Sequence, residues 1–317
     1  MAACVLRIIC CIYRDTRGLC VTVKPRLIDG KSISAIIRDE IKAGVDKIVK
    51  EQNIIPGLAI VLIGDDPASN IYVNNKLKAA KSVGMIAEDF RFPATISQKE
   101  ILNCINRINQ DNRFHGLIVQ LPLPDQIDKN VITRSLDPYK DVDGLHPDNV
   151  GLLVQGRQRF VPATPAGIQQ MLLRSGYDPE GMHVVICGRS EIVGKPLAVL
   201  LMQPQLGGNA TVTICHTKTV DLPEITRQAD IIIAAIGKPN FINADMVKEG
   251  TIVIDVGVNR ITDQSQKKGY SIVGDVDFKS VSEKAEAISP VPGGVGPMTI
   301  AMLLQNTLRA ATLSINS

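Results

Sequence analysis

The chain has 317 residues, more than one simple core accommodates and about right for two domains. Its composition, 45% hydrophobic and 21% charged, is that of an ordinary globular protein, and a formal net charge of +3 gives no reason to expect a nucleic-acid or membrane-surface partner. Aromatic residues make up only 3%, so platforms for base stacking are scarce, and no apolar stretch reaches the roughly 18 residues of a membrane span.

The first 25 residues differ from the rest because they are basic, rich in cysteine and nearly free of acids. The apolar run from Ile8 to Tyr13 is short for the core of a secretory signal. Arginines with Asp15 as the only acid suit an organelle transit peptide, but the segment is poor in serine. We expect residues 1–25 to be a disordered or dispensable extension of a cytoplasmic protein, with an organellar location as the alternative if they are a transit peptide.

The seven cysteines and four histidines show no ligand spacing, and no two cysteines form a C-x-x-C pair. Neither a disulfide framework nor a zinc site is therefore expected. We predict that the protein binds no metal.

The first half of the chain alternates short apolar strands with helical segments. Ser97 and Glu100 form a capping-box signature, which predicts the start of one of these helices. Strands alternating with helices indicate a mostly parallel sheet that is covered on both faces. The predicted helices are 30–52, 70–81 and 97–110, and the predicted strands are 57–64 and 115–122.

The second half repeats this rhythm more regularly, with apolar strands predicted over 183–188, 210–215, 230–237 and 251–257. Helical segments between them complete a doubly wound nucleotide-binding pattern. A final helix is predicted over residues 298–313, after a loop rich in glycine and proline. The segment 151–165 carries glycines and prolines without strong periodicity and is a plausible domain boundary.

The stretch "CGRSEIVGKP" (187–196) follows an apolar strand and opens a helix, a context in which backbone N–H groups and the helix terminus can bind phosphate. The glycine fingerprint is imperfect, because Ser190 replaces its second glycine and Gly194 comes one position late. A plain strand–helix turn is the rival interpretation. The context favours phosphate binding.

The next strand is followed by "HTKT", without the acid that usually holds the ribose hydroxyls of NAD. Arg189, Ser190 and Thr217 are instead suited to a 2′-phosphate, since the planar guanidinium matches phosphate oxygens. The pattern therefore favours NADP, unless Arg189 is only a surface charge.

Other candidate site residues have ordinary explanations when taken singly. Tyr72 and Lys76 would share one helical face, either in solvent or as a base beside an aromatic platform. Gln120 ends a predicted parallel strand, where ligands of such sheets bind. Asp143 begins an Asp-Gly turn, or recognises a guanidine-like heterocycle. The loop 289–299 is either a ligand loop or a rigid lead-in to the last helix.

Five segments stand in order along the chain: "YVNNK", "VQLPLP", "KDVDG", "GRSEIVGKP" and "PVPGGVGPMT". Each is weak alone, but the ordered set is highly specific. Together they closely resemble the bifunctional methylenetetrahydrofolate dehydrogenase/cyclohydrolase family, from about Leu27 to the C-terminus.

The resemblance implies two α/β domains flanking a cleft, the second a Rossmann-type doubly wound parallel sheet. Residues 26–150 would form the folate-binding catalytic domain and residues 151–296 the NADP-binding domain, with helix 297–313 packing back on the first. It also implies a homodimer, NADP as cofactor and tetrahydrofolate derivatives as substrates. The enzyme would oxidise 5,10-methylenetetrahydrofolate with NADP⁺ and hydrolyse the methenyl product to 10-formyltetrahydrofolate.

For the substrate, Lys76 matches the catalytic lysine of this family and Tyr72 the tyrosine that packs on the aminobenzoyl ring. Gln120 matches the residue that hydrogen-bonds and tunes the lysine, and Asp143 the acid that binds the pterin amino edge. The resemblance also places in the substrate site Leu121, Pro292, Gly293 and Gly294.

For the cofactor, Thr217 occupies a position where the family often has serine or threonine and where mitochondrial NAD-using relatives carry arginine. Val258 lies where the backbone of family members meets the nicotinamide amide. The remaining residues that the resemblance assigns to NADP are Gly188, Arg189, Ser190, Gly194 and Gly237.

Three rival functions remain at this stage. A dehydrogenase of another substrate class would explain residues 183–257 but would leave "YVNNK" and "KDVDG" without a role. A noncatalytic nucleotide-binding regulator, or a family member that has lost the cyclohydrolase, is disfavoured by the retention of Lys76, Gln120 and Asp143.

Overall fold

Helices and parallel strands alternate along the chain in the computed structural model, which describes residues 25–266 and 269–315. The expected extension, residues 1–25, lies outside the described residues except for Pro25. From Arg26 onward, the described residues form two parallel sheets, one two-stranded antiparallel hairpin and the helices around them.

The helices and strands predicted for the first half are confirmed, including the capping box of Ser97 and Glu100. Strand β3 was not predicted, because it alternates exposed and half-buried residues and carries charges rather than a continuous apolar run. The elements are β1 (Arg26–Leu27), α1 (Gly30–Gln52), β2 (Gly57–Ile63), α2 (Pro67–Ser82), β3 (Ile86–Phe92), α3 (Gln98–Gln110), β4 (Gly116–Val119), α4 (Lys129–Ser135) and α5 (Pro147–Val154).

The second half contains all four predicted strands, but each is shorter than its apolar run, by one residue in the first two and by about half in the last two. The antiparallel hairpin of β9 and β10 was not predicted. The elements are α6 (Ala163–Arg174), β5 (His183–Cys187), α7 (Gly194–Leu201), β6 (Thr211–Cys215), α8 (Leu222–Thr226), β7 (Ile231–Ala234), a 3₁₀ turn (Ala244–Met246), β8 (Ile252–Asp255), β9 (Asn259–Thr262), β10 (Tyr270–Val273), α9 (Phe278–Val281), β11 (Ala287–Ile288) and α10 (Val295–Leu313).

The first sheet has the strand order β3-β2-β4, and both pairings are parallel. All seven residues of β2 are buried, as expected for a central strand covered on both faces. Helix α3 buries Ile101, Cys104, Ile105 and Ile108 along one face. Each buried aliphatic side chain of this kind contributes about 1.5–3 kcal/mol to folding.

The second sheet has the order β1-β11-β8-β7-β5-β6, and every pairing in it is parallel. The chain runs from β5 to β6 on one side and then crosses to β7 on the other side of β5. The crevice at the carboxyl ends of β5 and β7 is therefore the switch point, where such sheets bind ligands. These features confirm the predicted α/β class with a doubly wound, Rossmann-type sheet.

The division into domains stays a prediction, but two elements show how the halves are joined. Strand β1 pairs with β11 and so belongs to the second sheet, although it precedes the first. The terminal helix α10 packs along both α1 and α6. The segment 151–165 is not a bare linker, because it holds the end of α5 and the start of α6.

Candidate active site

Lys76 lies on the buried stripe of helix α2. Asp66 caps this helix by accepting a hydrogen bond from the Ser69 amide at 2.7 Å, and the turns that follow bury Val73, Lys76 and Ala80. Only 8% of Lys76 is exposed, an unusual position for a lysine. Burial lowers the pKa of its ammonium, and the nearby charge of Asp143 partly opposes that shift.

Gln120 is the partner of this amine. It follows β4 and is held by a hydrogen bond from its own amide N–H to the Val61 carbonyl at 2.9 Å. Its side-chain Nε2 donates to the Leu121 carbonyl at 2.8 Å, which turns Oε1 toward Lys76. Lys76 Nζ donates to that Oε1 at 3.0 Å. The amide thus fixes where the amine sits while leaving its remaining hydrogen-bonding positions for a ligand.

Asp143 is half-buried in a turn beside the first sheet. Asp141 bridges Leu117 in parallel fashion, which extends the sheet by one short segment. From the far end of the chain, Asn306 of α10 donates to the Val142 carbonyl at 2.8 Å. Gly144 completes the turn with a φ of +71°. These contacts bring Asp143 close enough for its charge to act on Lys76.

Asp141, two residues earlier, was missed by sequence reasoning. Its side chain is fully buried, and Oδ2 accepts from the His146 amide at 2.7 Å and from Asn149 Nδ2 at 2.8 Å. Burial, reinforced by the charge of Asp143, raises the pKa of this carboxyl. The D-x-D spacing of Asp141 and Asp143 was the available signal, but spacing does not show which acid is buried.

Tyr72 lies one turn before Lys76 on α2 and is 38% exposed. Its ring is therefore open to the solvent beside the buried lysine. Leu121 follows Gln120 and is half-buried. Both residues lie within the same small region as the Lys76–Gln120 pair.

The loop that carries Pro292, Gly293 and Gly294 lies against the start of α1. Lys31 donates its amide hydrogen to the Gly293 carbonyl at 2.8 Å. A side chain on Gly30 would meet the Gly294 carbonyl oxygen at 2.0 Å, so this contact needs glycine at position 30. These described contacts join the loop to α1 and not to Lys76.

The predicted nucleotide turn is tight at both of its glycines. Gly188 has a φ of +140°, and a Cβ there would lie 2.1 Å from the Ala235 carbonyl oxygen at the end of β7. A Cβ on Gly194 would lie 2.1 Å from the Gly188 carbonyl oxygen. The Gly188 amide donates to the Cys215 carbonyl at 2.9 Å. The turn therefore lies in the switch-point crevice, with no room for larger residues at either glycine.

Arg189, Ser190 and Thr217 are all exposed at the carboxyl edge of this sheet. Cys187 pairs with Cys215 in register, so the segments that follow β5 and β6 are neighbours. The Ser190 hydroxyl oxygen accepts from the Val193 and Gly194 amides at 3.2 and 3.4 Å, which leaves its own hydrogen to donate elsewhere. These side chains offer one guanidinium and two hydroxyls to an anionic group, a donor set that fits a 2′-phosphate.

Gly237 and Val258 lie farther along the same edge, after β7 and β8, and both are exposed. Two acids that sequence reasoning missed, Asp255 and Asp275, are buried beneath them.

Within the described residues, no group of three or more histidines, cysteines or acids is arranged to hold a metal ion. None of the helices described is both long and apolar enough to cross a bilayer.

The two groups of residues adjoin one another. Lys129 of α4 lines a small cavity together with Leu121 and Asp143. Its Nζ also lies 3.0 Å from Glu191 Oε2, in the nucleotide turn. The lysine site and the nucleotide turn are thus joined across one ion pair.

A glycine-tight turn at the switch point of a parallel sheet is typical of a nucleotide-binding α/β fold, and a buried lysine with a lowered pKa elsewhere in the same chain indicates an enzyme. Comparison with known families makes this specific. Residues 28–143 match the tetrahydrofolate dehydrogenase/cyclohydrolase catalytic domain, and residues 162–315 match the NAD(P)-binding domain of the same family. The chain therefore belongs to the tetrahydrofolate dehydrogenase/cyclohydrolase family.

Individual relatives agree. The bifunctional protein FolD of Prosthecochloris aestuarii is 50% identical over 292 residues, which cover 92% of this chain and 99% of the relative. The crystal structure of the bifunctional enzyme FolD from Campylobacter jejuni is 48% identical, with a TM-score of 0.85 over 91% of this chain and 99% of the other. The Trypanosoma brucei enzyme, solved with NADP cofactor and inhibitor, is 36% identical, with a TM-score of 0.88 over 93% and 100% of the two chains.

Proposed function

We propose that the region around Lys76, Gln120 and Asp143 is where this chain carries out both reactions of its family. The chain is a bifunctional enzyme of one-carbon folate metabolism, a methylenetetrahydrofolate dehydrogenase and methenyltetrahydrofolate cyclohydrolase that uses NADP. The observation that supports the assignment of the site is a desolvated amine held 3.0 Å from one amide oxygen.

The cofactor would lie along the carboxyl edge of the second sheet. Its pyrophosphate would lie against the turn that Gly188 and Gly194 keep tight, and Arg189, Ser190 and Thr217 would hold the 2′-phosphate. The exposed turns at Gly237 and Val258 would hold the nicotinamide end. When bound, NADP⁺ supplies the acceptor for a hydride.

The substrate would lie between the two edges. Tyr72 offers an exposed ring for the aminobenzoyl group, one turn from Lys76. Asp143 offers a carboxylate to the amino edge of the pterin, with Leu121 beside it. Pro292, Gly293 and Gly294 border the substrate from a separate loop. The last placement rests on the family resemblance alone.

For the dehydrogenase step, the chain needs to orient its ligands more than to move protons. The reacting carbon lies between two nitrogens whose lone pairs stabilise the developing cation. The residues that matter are therefore those that fix the pterin against the cofactor edge. Lys76 has no proton to transfer in this step.

The cyclohydrolase step does need a proton carrier. Water attacks the methenyl carbon, an O–C bond forms, and Lys76 Nζ takes the proton that the water loses. The C–N bond then breaks, and the departing nitrogen takes a proton back from Lys76. The hydroxyl proton leaves to solvent as the formyl carbonyl forms. Burial favours the neutral amine that this cycle requires at its start.

We also propose that the protein is a cytoplasmic homodimer without a nucleic-acid partner. The near-neutral charge of +3 supports the last point. The dimer rests on the family resemblance, and the compartment rests on the composition and on the interpretation of residues 1–25 as a dispensable extension. Sedimentation of the purified protein would measure its oligomeric state directly.

One assay tests the function. Purified protein is mixed with methylenetetrahydrofolate and either NADP⁺ or NAD⁺, and both reduced nicotinamide and methenyl absorbance are followed. We expect reduction with NADP⁺, and a methenyl signal that rises and then decays. No reduction with either cofactor contradicts the function, and reduction with NAD⁺ alone contradicts the roles given to Arg189, Ser190 and Thr217.

A further inference from the structure

Asp255 ends strand β8 at the carboxyl edge of the second sheet and is only 3% exposed. Its Oδ1 accepts from the Gly257 and Asp275 amides, both at 2.9 Å, and its Oδ2 accepts from the Val276 amide at 2.9 Å. The Asp255 amide in turn donates to the Ser289 hydroxyl at 2.8 Å. One buried carboxylate thus joins the segment after β8 to the segment after β10.

Asp275 is fully buried beside it. Its Oδ2 accepts from the Ile236 and Gly237 amides at 2.5 and 2.8 Å, and its Oδ1 accepts from Asn259 Nδ2 at 2.8 Å. This second carboxylate joins the turn after β7 to the start of β9. The two acids together fasten three turns to one another.

Two glycines leave the space that these carboxylates occupy. A Cβ on Gly257 would lie 2.3 Å from Asp275 Oδ1, and a Cβ on Gly274 would lie 1.8 Å from Asp255 Oδ2. The described backbone therefore closes around both side chains. Such close packing restricts the turns on either side to one arrangement.

The fastened turns are those that carry the exposed Gly237 and Val258. Gly237 receives the Asp275 bond directly, and Val258 lies between Gly257 and Asn259, which are each held by one of the acids. We propose that Asp255 and Asp275 are positioning residues that hold the nicotinamide end of the NADP site in its binding geometry. This proposal rests on the function proposed above.

The donors around this pair are all N–H groups. A carboxylate is an acceptor at every lone pair and can satisfy three such donors at once. Asparagine at position 275 keeps one amide oxygen for the Ile236 and Gly237 amides but turns an NH₂ group toward Asn259 Nδ2, where the carboxylate accepts a hydrogen bond. The loss would fall on the turns at Gly237 and Asn259 and not on the lysine site.

The test is Asp275→Asn, with Asp277→Asn as the matched control. Asp277 caps α9 two residues away, and asparagine caps helices equally well, so the control makes the same charge change without disturbing the pair. We expect the dissociation constant of NADP⁺, measured by calorimetry, to rise about tenfold in Asp275→Asn. In Asp277→Asn we expect it to change by less than about twofold.

Two further measurements distinguish a positioning role from a general loss of stability. Cyclohydrolase turnover of supplied methenyltetrahydrofolate, which needs no nicotinamide, is expected to fall by less than about twofold in Asp275→Asn. Hydrogen exchange at Ile236 and Gly237 is expected to speed up. Unchanged NADP⁺ affinity overturns the proposal, as does an equal loss of affinity and cyclohydrolase activity. Wild-type protein without NADP⁺ binding or turnover would instead contradict the proposed function.

If Asp275→Asn does not fold, Asn259→Ala serves in its place. This change removes one donor to Asp275 and leaves both carboxylates intact. We expect the NADP⁺ dissociation constant to rise at least about threefold with cyclohydrolase turnover retained. An unchanged dissociation constant overturns the proposal.

Discussion

The carboxyl edges of the two sheets are built in opposite ways. At the first edge a buried lysine has one described acceptor, the Gln120 amide oxygen, and its pKa is lowered by burial. At the second edge the buried Asp255 and Asp275 each accept three hydrogen bonds. At the same edge, Gly188 lets its own backbone pack directly against the Ala235 carbonyl group. An amine with one acceptor keeps hydrogen-bonding positions for a ligand, whereas acids that accept three hydrogen bonds and tight glycines hold turns in place. Substitutions at the first edge should therefore change chemistry, and those at the second should change binding.

The largest effect is expected from Lys76→Met. Without a proton carrier, cyclohydrolase turnover should fall by about 10²–10⁴-fold, while the dehydrogenase retains most of its activity at saturating substrate. Lys76→Arg should not restore hydrolysis, since a guanidinium does not titrate in this range. The decay of methenyl absorbance and the formation of reduced nicotinamide, followed over time, check both variants.

Lys78→Met is the control, because Lys78 is exposed on the same helix. It should leave both reactions near the wild-type rates. If Lys76→Met lost both activities equally, Lys76 would not serve hydrolysis alone, and the difference drawn between the two edges would be wrong.

The next effect is expected from Gly188→Ala. The new Cβ would lie 2.1 Å from the Ala235 oxygen at a φ of +140°, so the turn must move. NADP⁺ affinity should fall up to about 100-fold, with cyclohydrolase activity retained. Gly181→Ala is the control, since Gly181 also has positive φ but meets nothing within 4 Å. Calorimetric titration gives the affinities, and retained binding by Gly188→Ala would show that the turn is not part of the site.

A smaller effect is expected from Arg189→Ala. Loss of the guanidinium should weaken NADP⁺ by about tenfold and leave the weaker NAD⁺ binding nearly unchanged. Lys195→Ala removes an exposed cation from the same region and should change neither affinity much. If NADP⁺ and NAD⁺ weaken together, Arg189 does not distinguish the 2′-phosphate.

The smallest effect concerns pH. The neutral amine of Lys76 is the active form, so cyclohydrolase turnover should rise with pH through an apparent pKa below the ordinary lysine value of 10.5. The charge of Asp143 raises that pKa, so Asp143→Asn should move the rising limb to lower pH at saturating substrate. A pH profile of turnover for both proteins measures the shift, and movement to higher pH would contradict the assigned base.

Much of this fold could be predicted from local patterns. Apolar runs identified β2, β4 and four of the six strands of the second sheet, β5 to β8, and the Ser97–Glu100 capping box identified the start of α3. Strand β3 escaped because it is an edge strand with charges, and its pairing with β2 is what makes it a strand. The β9–β10 hairpin was not predicted for a similar reason, since each of its short strands pairs, among the described strands, only with the other.

The candidate site also contains residues that sequence patterns identified and residues that they did not. The order of the five motifs was sufficient to indicate the family and to nominate Lys76, Gln120 and Asp143. Asp255 and Asp275 had no such signal, because all of their donors except the Gly257 amide come from segments that are distant along the chain. Asp141 and Asp143 look alike in sequence, yet only the former is fully buried.

The sequence by itself determined the α/β class, the nucleotide turn and the nomination of a lysine four residues after a tyrosine. Only the tertiary structure decided that this lysine is desolvated and bonded to a residue 44 positions away. The reason is physical: helix and strand follow from local periodicity, whereas burial, pKa and hydrogen-bond saturation depend on which distant segments pack around a side chain.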